Sequence, residues 1–261
     1  MKKRVWCMAQ QASGEEGFRS QKRPCSARER CMMSRYVVAN WKSNKSLVES
    51  RQWLTQFLEL YRPQSEVTVI IAPAFPFLFS LQQEIGGDRE GVRLAAQDIS
   101  PFPSGSYTGA VAAEMITELV DYALVGHSER RHWFHETNQE VANKVYEALA
   151  VEITPILCVD QPEARSQFAA LSDDELRRCL IGYGPKEAVG GAMPLPEQQI
   201  RAAVEKLAAM APESPLLYGG SVSADNAGKY MKIPGLAGLM VGTASLQPQE
   251  FAAICHLVGE A

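Results

Sequence analysis

The chain has 261 residues, of which 46% are hydrophobic and 21% charged, and its formal net charge is −4 at pH 7. This length fits one large domain or two small ones, and the ordinary apolar and charged fractions predict a packed core, which excludes a disordered or fibrous chain. The longest fairly apolar run without charges, residues 235–246, is too short and too rich in glycine to cross a bilayer, so no membrane partner is expected.

Basic residues are concentrated ahead of the first predicted strand. Residues 1–34 hold eight basic and three acidic groups, which leaves 18 basic and 27 acidic groups for residues 35–261. An acidic body argues against a nucleic-acid partner. Because residues 1–34 lack the periodicity of a helix or strand, they are expected to be a disordered or non-native extension, with the folded domain over 35–261.

The six cysteines give no framework for disulfides or zinc. Three lie within residues 1–34, and Cys158, Cys179 and Cys255 lie in the body with no CxxC pair among them. Reduced thiols in a cytoplasmic protein are the expectation.

Short apolar runs alternate with helical segments along residues 35–261. The strands are predicted at 36–40, 67–72, 92–97, 122–126, 153–159, 179–183, 216–218 and 238–241. The helices are predicted after a capping box at Ser46, at 76–85, at 112–120, around 141–149, within 159–183, around 200–208, at 224–231 and at 247–258. Continuous apolar strands indicate burial on both faces and therefore a parallel sheet. Eight such pairs predict a single-domain eight-stranded (β/α)8 barrel, with an open doubly wound sheet as the alternative.

The carboxyl ends of the strands are where such a barrel places its functional residues. Polar or glycine residues follow six of the predicted strands: Asn40, Lys42, Gln97, Asp98, residues 127–131, Gly184, residues 219–221, Gly242 and Thr243. Glycines after the last two strands suggest a phosphate site, because backbone N–H groups there can approach an anion. Lys42 would add positive charge that also stabilises an oxyanion.

His127 follows the fourth strand and is a candidate for proton transfer between neighbouring oxygens. A metal site is the competing interpretation, since His127, His132 and His135 fall within nine residues. Their spacing does not place all three on one helical face, so no metal is expected.

Four ordered motifs carry a family resemblance: Asn40-Trp41-Lys42, Gly126 to Arg131, Tyr218 to Val222 and Val241 to Ser245. With these, residues 35–261 resemble the triosephosphate isomerase family. The resemblance implies a reaction that interconverts dihydroxyacetone phosphate and glyceraldehyde 3-phosphate without a cofactor, in glycolysis and gluconeogenesis. A carboxylate takes a proton from carbon, while lysine and histidine stabilise the enediolate.

The resemblance also implies roles for individual residues. Asn40 matches the substrate-binding asparagine, Lys42 the electrophilic lysine, His127 the electrophilic histidine, and Ser128 and Glu129 its supporting neighbours. The matches to the backbone phosphate grip are Gly190, Ser221, Gly242 and Thr243, although Thr243 stands where a second glycine is typical. The segment Tyr107-Thr108-Gly109 resembles the loop through which the family forms homodimers.

The sixth strand departs from the family pattern. The family has Tyr-Glu-Pro at this point, whereas this chain has Tyr183-Gly184-Pro185. Glu187 is the nearest carboxylate along the chain and is the candidate for a relocated base, with Asp98 and Glu129 as alternatives. General-base catalysis contributes about 10²–10⁴-fold, so loss of the base would slow the isomerase without necessarily abolishing turnover.

Three hypotheses follow. The first is a triosephosphate isomerase that is impaired or uses a relocated base. The second is a barrel that binds triose phosphates without turnover, as a sensor or inactive partner. The third is an isomerase of a related phosphorylated sugar.

Overall fold

The computed structural model of the protein describes residues 34–86, 91–185 and 195–261. Eight parallel strands close into a barrel in which each strand pairs with its neighbours in chain order. The strands are β1 Arg35–Asn40, β2 Val67–Ala72, β3 Val92–Ala96, β4 Tyr122–Val125, β5 Thr154–Val159, β6 Leu180–Tyr183, β7 Leu216–Tyr218 and β8 Leu236–Val241. The predicted barrel is therefore confirmed.

Helices pack around the outside of the barrel. Over the described ranges the α-helices are α1 Leu47–Leu60, α2 Leu78–Ile85, α3 Ser128–Trp133, α4 Asn138–Ala150, α5 Gln161–Phe168, α6 Asp173–Arg177, α7 Glu197–Met210, α8 Ala224–Tyr230 and α9 Pro248–Glu260. Short 3-10 helices occupy Phe75–Phe77, Ala113–Ile116 and Thr243–Leu246. No helix in these ranges is both long enough and apolar enough to span a membrane.

The predicted capping box starts the first helix. The Ser46 side chain accepts a hydrogen bond from the Glu49 N–H at 3.3 Å, and the Ser46 N–H donates to the Glu49 carboxylate at 2.7 Å. These two bonds satisfy N–H groups that have no partner inside the helix, which explains why α1 begins where it does.

Two segments differ from their predictions. The helix predicted over 112–120 is wrong, because the structure has only the 3-10 turn Ala113–Ile116, whose ends are buried while Glu114 and Met115 are exposed. One turn is enough to bury that short apolar face. Residues 159–183 hold two short helices rather than one, since a second capping box, formed by Ser172 and Glu175, starts α6.

The hydrophobic core has two layers. Side chains such as Val38, Ile70 and Met240 fill the barrel interior, and a larger cluster lies between the strands and the helices. In the outer layer Trp41 contacts Trp53 edge-to-face at 4.7 Å between ring centroids. Trp41 thereby fixes the backbone between Asn40 and Lys42 at the rim of the barrel.

The junction of β8 and β1 predicts a large stability effect. Gly238 is in register with Tyr36, and a Cβ at Gly238 would overlap the Tyr36 carbonyl. We expect Gly238→Ala to lower the free energy of unfolding by about 1–3 kcal/mol, because a rigid strand rather than a flexible side chain must move. Urea unfolding followed by circular dichroism measures this.

Gly228→Ala is the matched control for that experiment. Gly228 lies inside α8, where a Cβ would meet only Leu257 Cδ2 at 3.9 Å. Alanine is favoured over glycine in a helix interior by about 0.5–1 kcal/mol, so this variant should be as stable as the natural chain or more so. Equal stability of both variants would contradict the packing argument.

Candidate active site

A cavity of about 490 Å³, here called the rim cavity, opens at the carboxyl end of the barrel. Its wall contains six of the predicted site residues: Asn40, Lys42, His127, Ser221, Gly242 and Thr243. They come from the ends of β1, β4, β7 and β8, so barrel closure brings together residues that are far apart in the chain.

Lys42 is held in an unusual backbone conformation at this rim. Its φ of 53° lies in the left-handed region, which costs a residue other than glycine about 1–3 kcal/mol. The Lys42 N–H donates to Asn40 Oδ1 at 3.1 Å, and its carbonyl accepts from Gln97 Nε2 at 2.8 Å. Lys42 Nζ donates to Glu129 Oε1 at 2.6 Å. These bonds point to Glu129 and Gln97 as residues that position the lysine.

Gln97 bridges two strand ends. Its amide nitrogen donates to the carbonyls of both Lys42 and Ala72, each at 2.8 Å. The sequence placed Gln97 at the end of β3 but did not predict this contact, because the two partners are 55 and 25 residues away.

His127 is positioned to donate a hydrogen bond in its neutral form. It caps the N-terminus of α3, where Nδ1 accepts from the Glu129 N–H at 3.2 Å. Since Nδ1 is the acceptor, a neutral ring carries its proton on Nε2. Burial lowers the pKa of His127, an effect that the Glu129 carboxylate opposes and the Lys42 ammonium reinforces. His127 can therefore act as a neutral donor at pH 7.

The titration of His127 tests this assignment. The unfolded chain takes up the proton near pH 6.5, whereas the folded protein should take it up at a lower pH. The free energy of unfolding should therefore fall as the pH decreases from about 6.5 to the lower pKa of His127 in the folded protein. In that range the unfolded state binds more protons than the folded state. NMR titration of the ring C–H signal, assigned by its loss in His127→Gln, measures the pKa; a value above 6.5 would contradict the neutral donor.

The part of the wall formed by Ser221 and Gly242 has the backbone features of an anion site. Ser221 has a φ of 44°, and its carbonyl accepts from Asn226 Nδ2 at 2.9 Å. The 3-10 helix begins at Thr243, directly after Gly242, and the first N–H groups of a helix have no partner inside it. A Cβ at Gly242 would lie 3.8 Å from Lys42 Cε, so the lysine stem passes close to this wall.

Asp98 and Glu129, the two alternatives named for the base, both engage cations. Asp98 contacts Lys144 Nζ at 2.6 Å and Arg130 at 2.8 Å, while Glu129 binds Lys42. Each carboxylate therefore holds a positive charge in place, and neither is oriented as an unpaired base.

The comparisons with known proteins agree with this geometry. The family model described as triosephosphate isomerase matches residues 35–258. A triosephosphate isomerase of Symbiobacterium thermophilum is 35% identical over 88% of this chain and 99% of its own length. Those of Chlamydia muridarum and Aquifex aeolicus are 36% and 33% identical, over 85% and 86% of this chain and 91% and 99% of their own.

The chain belongs to the triosephosphate isomerase family.

Within this triosephosphate isomerase barrel, a second and smaller space adjoins the rim cavity. It measures about 30 Å³ and is lined by Ser128, Asp160, Glu163, Gly182, Gly184 and Gly219 among others; we call it the Gly184 chamber. His127, Gly219 and Met240 line both spaces, so the chamber lies directly beside the rim cavity. Ser128, predicted as a supporting residue, is in the wall of the chamber rather than of the rim cavity.

Two predicted site residues lie outside the described residues: Glu187, the candidate for a relocated base, and Gly190, matched to the phosphate grip. So do residues 1–33 of the predicted N-terminal extension. Within the part of the chain that is described, no group of three or more His, Cys, Asp or Glu side chains could hold a metal ion.

Proposed function

We propose that the protein is a triosephosphate isomerase that interconverts dihydroxyacetone phosphate and D-glyceraldehyde 3-phosphate. The observation that carries the proposal is the convergence of Lys42 and His127 on one cavity that Ser221 and Gly242 also line. With its phosphate at the Ser221 and Gly242 backbone, a three-carbon sugar in this cavity would have its carbon end beside the two electrophiles. Family membership supports the same activity.

In the proposed reaction, the substrate carbonyl oxygen receives hydrogen bonds from Lys42 Nζ and His127 Nε2. When a base removes a proton from the adjacent carbon, that C–H electron pair forms the C=C bond of an enediolate and the carbonyl electrons move to oxygen. The ammonium and the imidazole stabilise the negative charge as it develops there. His127 passes the hydroxyl proton from one oxygen to the other, and return of a proton to the other carbon completes the isomerisation.

The two alternative functions receive no support from the comparisons. They are a non-catalytic triose-phosphate sensor and an isomerase of a related phosphorylated sugar. Gly184 suggested both of them, and it also suggested an impaired triosephosphate isomerase. The relatives are named triosephosphate isomerase, and the family model with that description covers the whole barrel.

A coupled assay tests the proposal. Purified full-length protein is supplied with glyceraldehyde 3-phosphate, and the dihydroxyacetone phosphate formed is reduced by a dehydrogenase with NADH. We expect turnover that saturates with substrate and is inhibited competitively by a phosphorylated enediolate mimic. Absence of both turnover and binding of the mimic would refute the function.

A homodimer is proposed through Tyr107-Thr108-Gly109. In support of it, the Tyr107 ring stacks on Phe102 at 4.5 Å, and both remain partly exposed together with Phe134, which leaves an apolar surface beside the loop. Sedimentation should give twice the 28.7 kDa mass of one chain.

The buried free thiols Cys158, Cys179 and Cys255 support the further proposal of a reducing, cytoplasmic location.

A further inference from the structure

We propose that Asp160 supplies the base that Gly184 cannot, acting through one water molecule in the Gly184 chamber. This inference rests on the proposed isomerase function and assigns its missing proton acceptor. It differs from relocation to Glu187, because Asp160 comes from the end of a neighbouring strand rather than from further along the same segment.

The strand register places Asp160 beside Gly184. Val159 of β5 pairs with Tyr183 of β6, and Asp160 and Gly184 directly follow these two residues. The Gly184 N–H donates to the Val159 carbonyl at 3.1 Å, which continues the pairing by one step. A carboxylate at position 160 is therefore one strand away from the position where the family carries its base.

Asp160 is buried but has acceptor positions left for further hydrogen bonds. Its exposed fraction is 8%, and Oδ1 accepts from the Gln161 N–H at 2.7 Å at the start of α5. An ionised carboxylate has about four acceptor positions, of which that bond uses one. Among the described residues no cation forms an ion pair with Asp160, in contrast to Asp98 and Glu129.

The other acidic side chains near the two spaces are less suitable. Glu163 lines the chamber but lies 3.7 Å from Arg131 Nε, a guanidinium that also binds Gly126, Asn138 and Gln167. Glu250 lines the rim cavity beside Thr243 and Gln247, on the side proposed for the phosphate. Asp160 alone among these lies beside Gly184 without a charged partner in the described structure.

The chamber gives the proton its route. A space of about 30 Å³ can hold one water, for which about 10–15 Å³ is enough. Asp160 and Ser128 in its lining offer it polar partners, and His127, Gly219 and Met240 line both this chamber and the rim cavity. General bases act over hydrogen-bond distance or through one water.

The substrate proton reaches Asp160 by a relay through the water. The water oxygen takes the proton from the substrate carbon as one of its own protons passes to the Asp160 carboxylate. The C–H electron pair enters the new C=C bond, and the carbonyl electrons move to the oxygen beside Lys42 and His127. After His127 has passed the hydroxyl proton from one oxygen to the other, the same path in reverse delivers a proton to the neighbouring carbon and regenerates the carboxylate.

Asp160→Asn is the direct test. Asparagine caps a helix about as well as aspartate and has nearly the same volume, so the fold should be preserved. We expect kcat for the isomerisation to fall about 10²–10⁴-fold with little change in KM.

Glu163→Gln and Glu187→Gln are the controls. Glu163→Gln removes the other described carboxylate of the chamber and should leave kcat near the wild-type value. Equal losses in Asp160→Asn and Glu163→Gln would overturn the assignment, as would a loss confined to Glu187→Gln or full activity of Asp160→Asn. An inactive wild-type protein would instead refute the proposed function, and this inference with it.

An isotope experiment tests the water relay separately. Substrate deuterated at the reacting carbon should release its label to the solvent, because the relay water exchanges with bulk water. Substantial transfer of the label into the product would contradict the relay. This readout would not respond to a purely structural role of Asp160.

Discussion

Replacement of Lys42 by methionine is expected to lower kcat/KM for triose phosphate isomerisation by about 10²–10³-fold, or about 2.7–4 kcal/mol in transition-state stabilisation. Methionine keeps a similar stem but removes the ammonium, which Glu129 holds at 2.6 Å at the edge of the rim cavity. The effect should be larger than loss of one neutral hydrogen bond, because in the proposed complex the ammonium charge lies beside the substrate carbonyl and near the Gly242 backbone.

The control for this variant is Lys206→Met, which removes the same charge from the exposed face of α7. Steady-state kinetics should show wild-type values for it. A double variant, Lys42→Met with Glu129→Gln, separates the loss of the ammonium from the effect of an unpaired carboxylate. If the double variant recovered wild-type activity, the stranded charge of Glu129 would be the cause and Lys42 would not be an electrophile.

Much of the fold could be predicted because strand and helix periodicities are strong in this chain. The eight predicted strands coincide with the observed ones within two residues at each end; β2, for example, is predicted and found at Val67–Ala72. Continuous burial of both faces of such strands requires a parallel sheet with helices outside it. The helix predicted over 112–120 failed because a short apolar segment can be buried by a single turn.

The rim cavity was predictable for a related reason. Lys42, His127, Ser221 and Gly242 each follow a strand closely, and a closed parallel barrel brings all strand ends to one face. Once the order of the strands is known, the sequence therefore predicts that these residues share one cavity. The resemblance supplied their roles, and the structure adds the contacts of Glu129 and Gln97 that hold Lys42 in a left-handed conformation.

The Gly184 chamber was not predictable in this way. Its walls depend on which side chains cross the barrel mouth, and Met240 of β8 reaches so far toward β6 that a Cβ at Gly182 would lie 2.5 Å from its sulfur. The position of Asp160 did leave a signal, since it directly follows the fifth strand. Asp160 is 24 residues before Gly184 in the chain, and only the pairing of β5 with β6 places the two side by side.

The second large effect is expected from Gly184→Glu in the Asp160→Asn background. If Asp160 is the base, the new carboxylate should restore about 10²–10⁴-fold of the lost kcat, because it enters the chamber from the position where the family carries its base. Met240, which faces this space, has the flexibility to give way to the larger side chain. Gly184→Gln in the same background has the same size without a carboxylate and should restore nothing.

The same substitution in the wild-type background makes the test decisive. Two residues that serve one step are not additive, so Gly184→Glu should raise activity far less when Asp160 is present than when it is asparagine. A carboxylate beside Asp160 would also meet like charge, which disfavours the ionised form of both groups. Equal gains of 10²-fold or more in the two backgrounds would mean that Asp160 takes no proton and that the natural chain works without a positioned base. A gain confined to the Asp160→Asn background would identify Asp160 and a glutamate at position 184 as interchangeable acceptors for one proton.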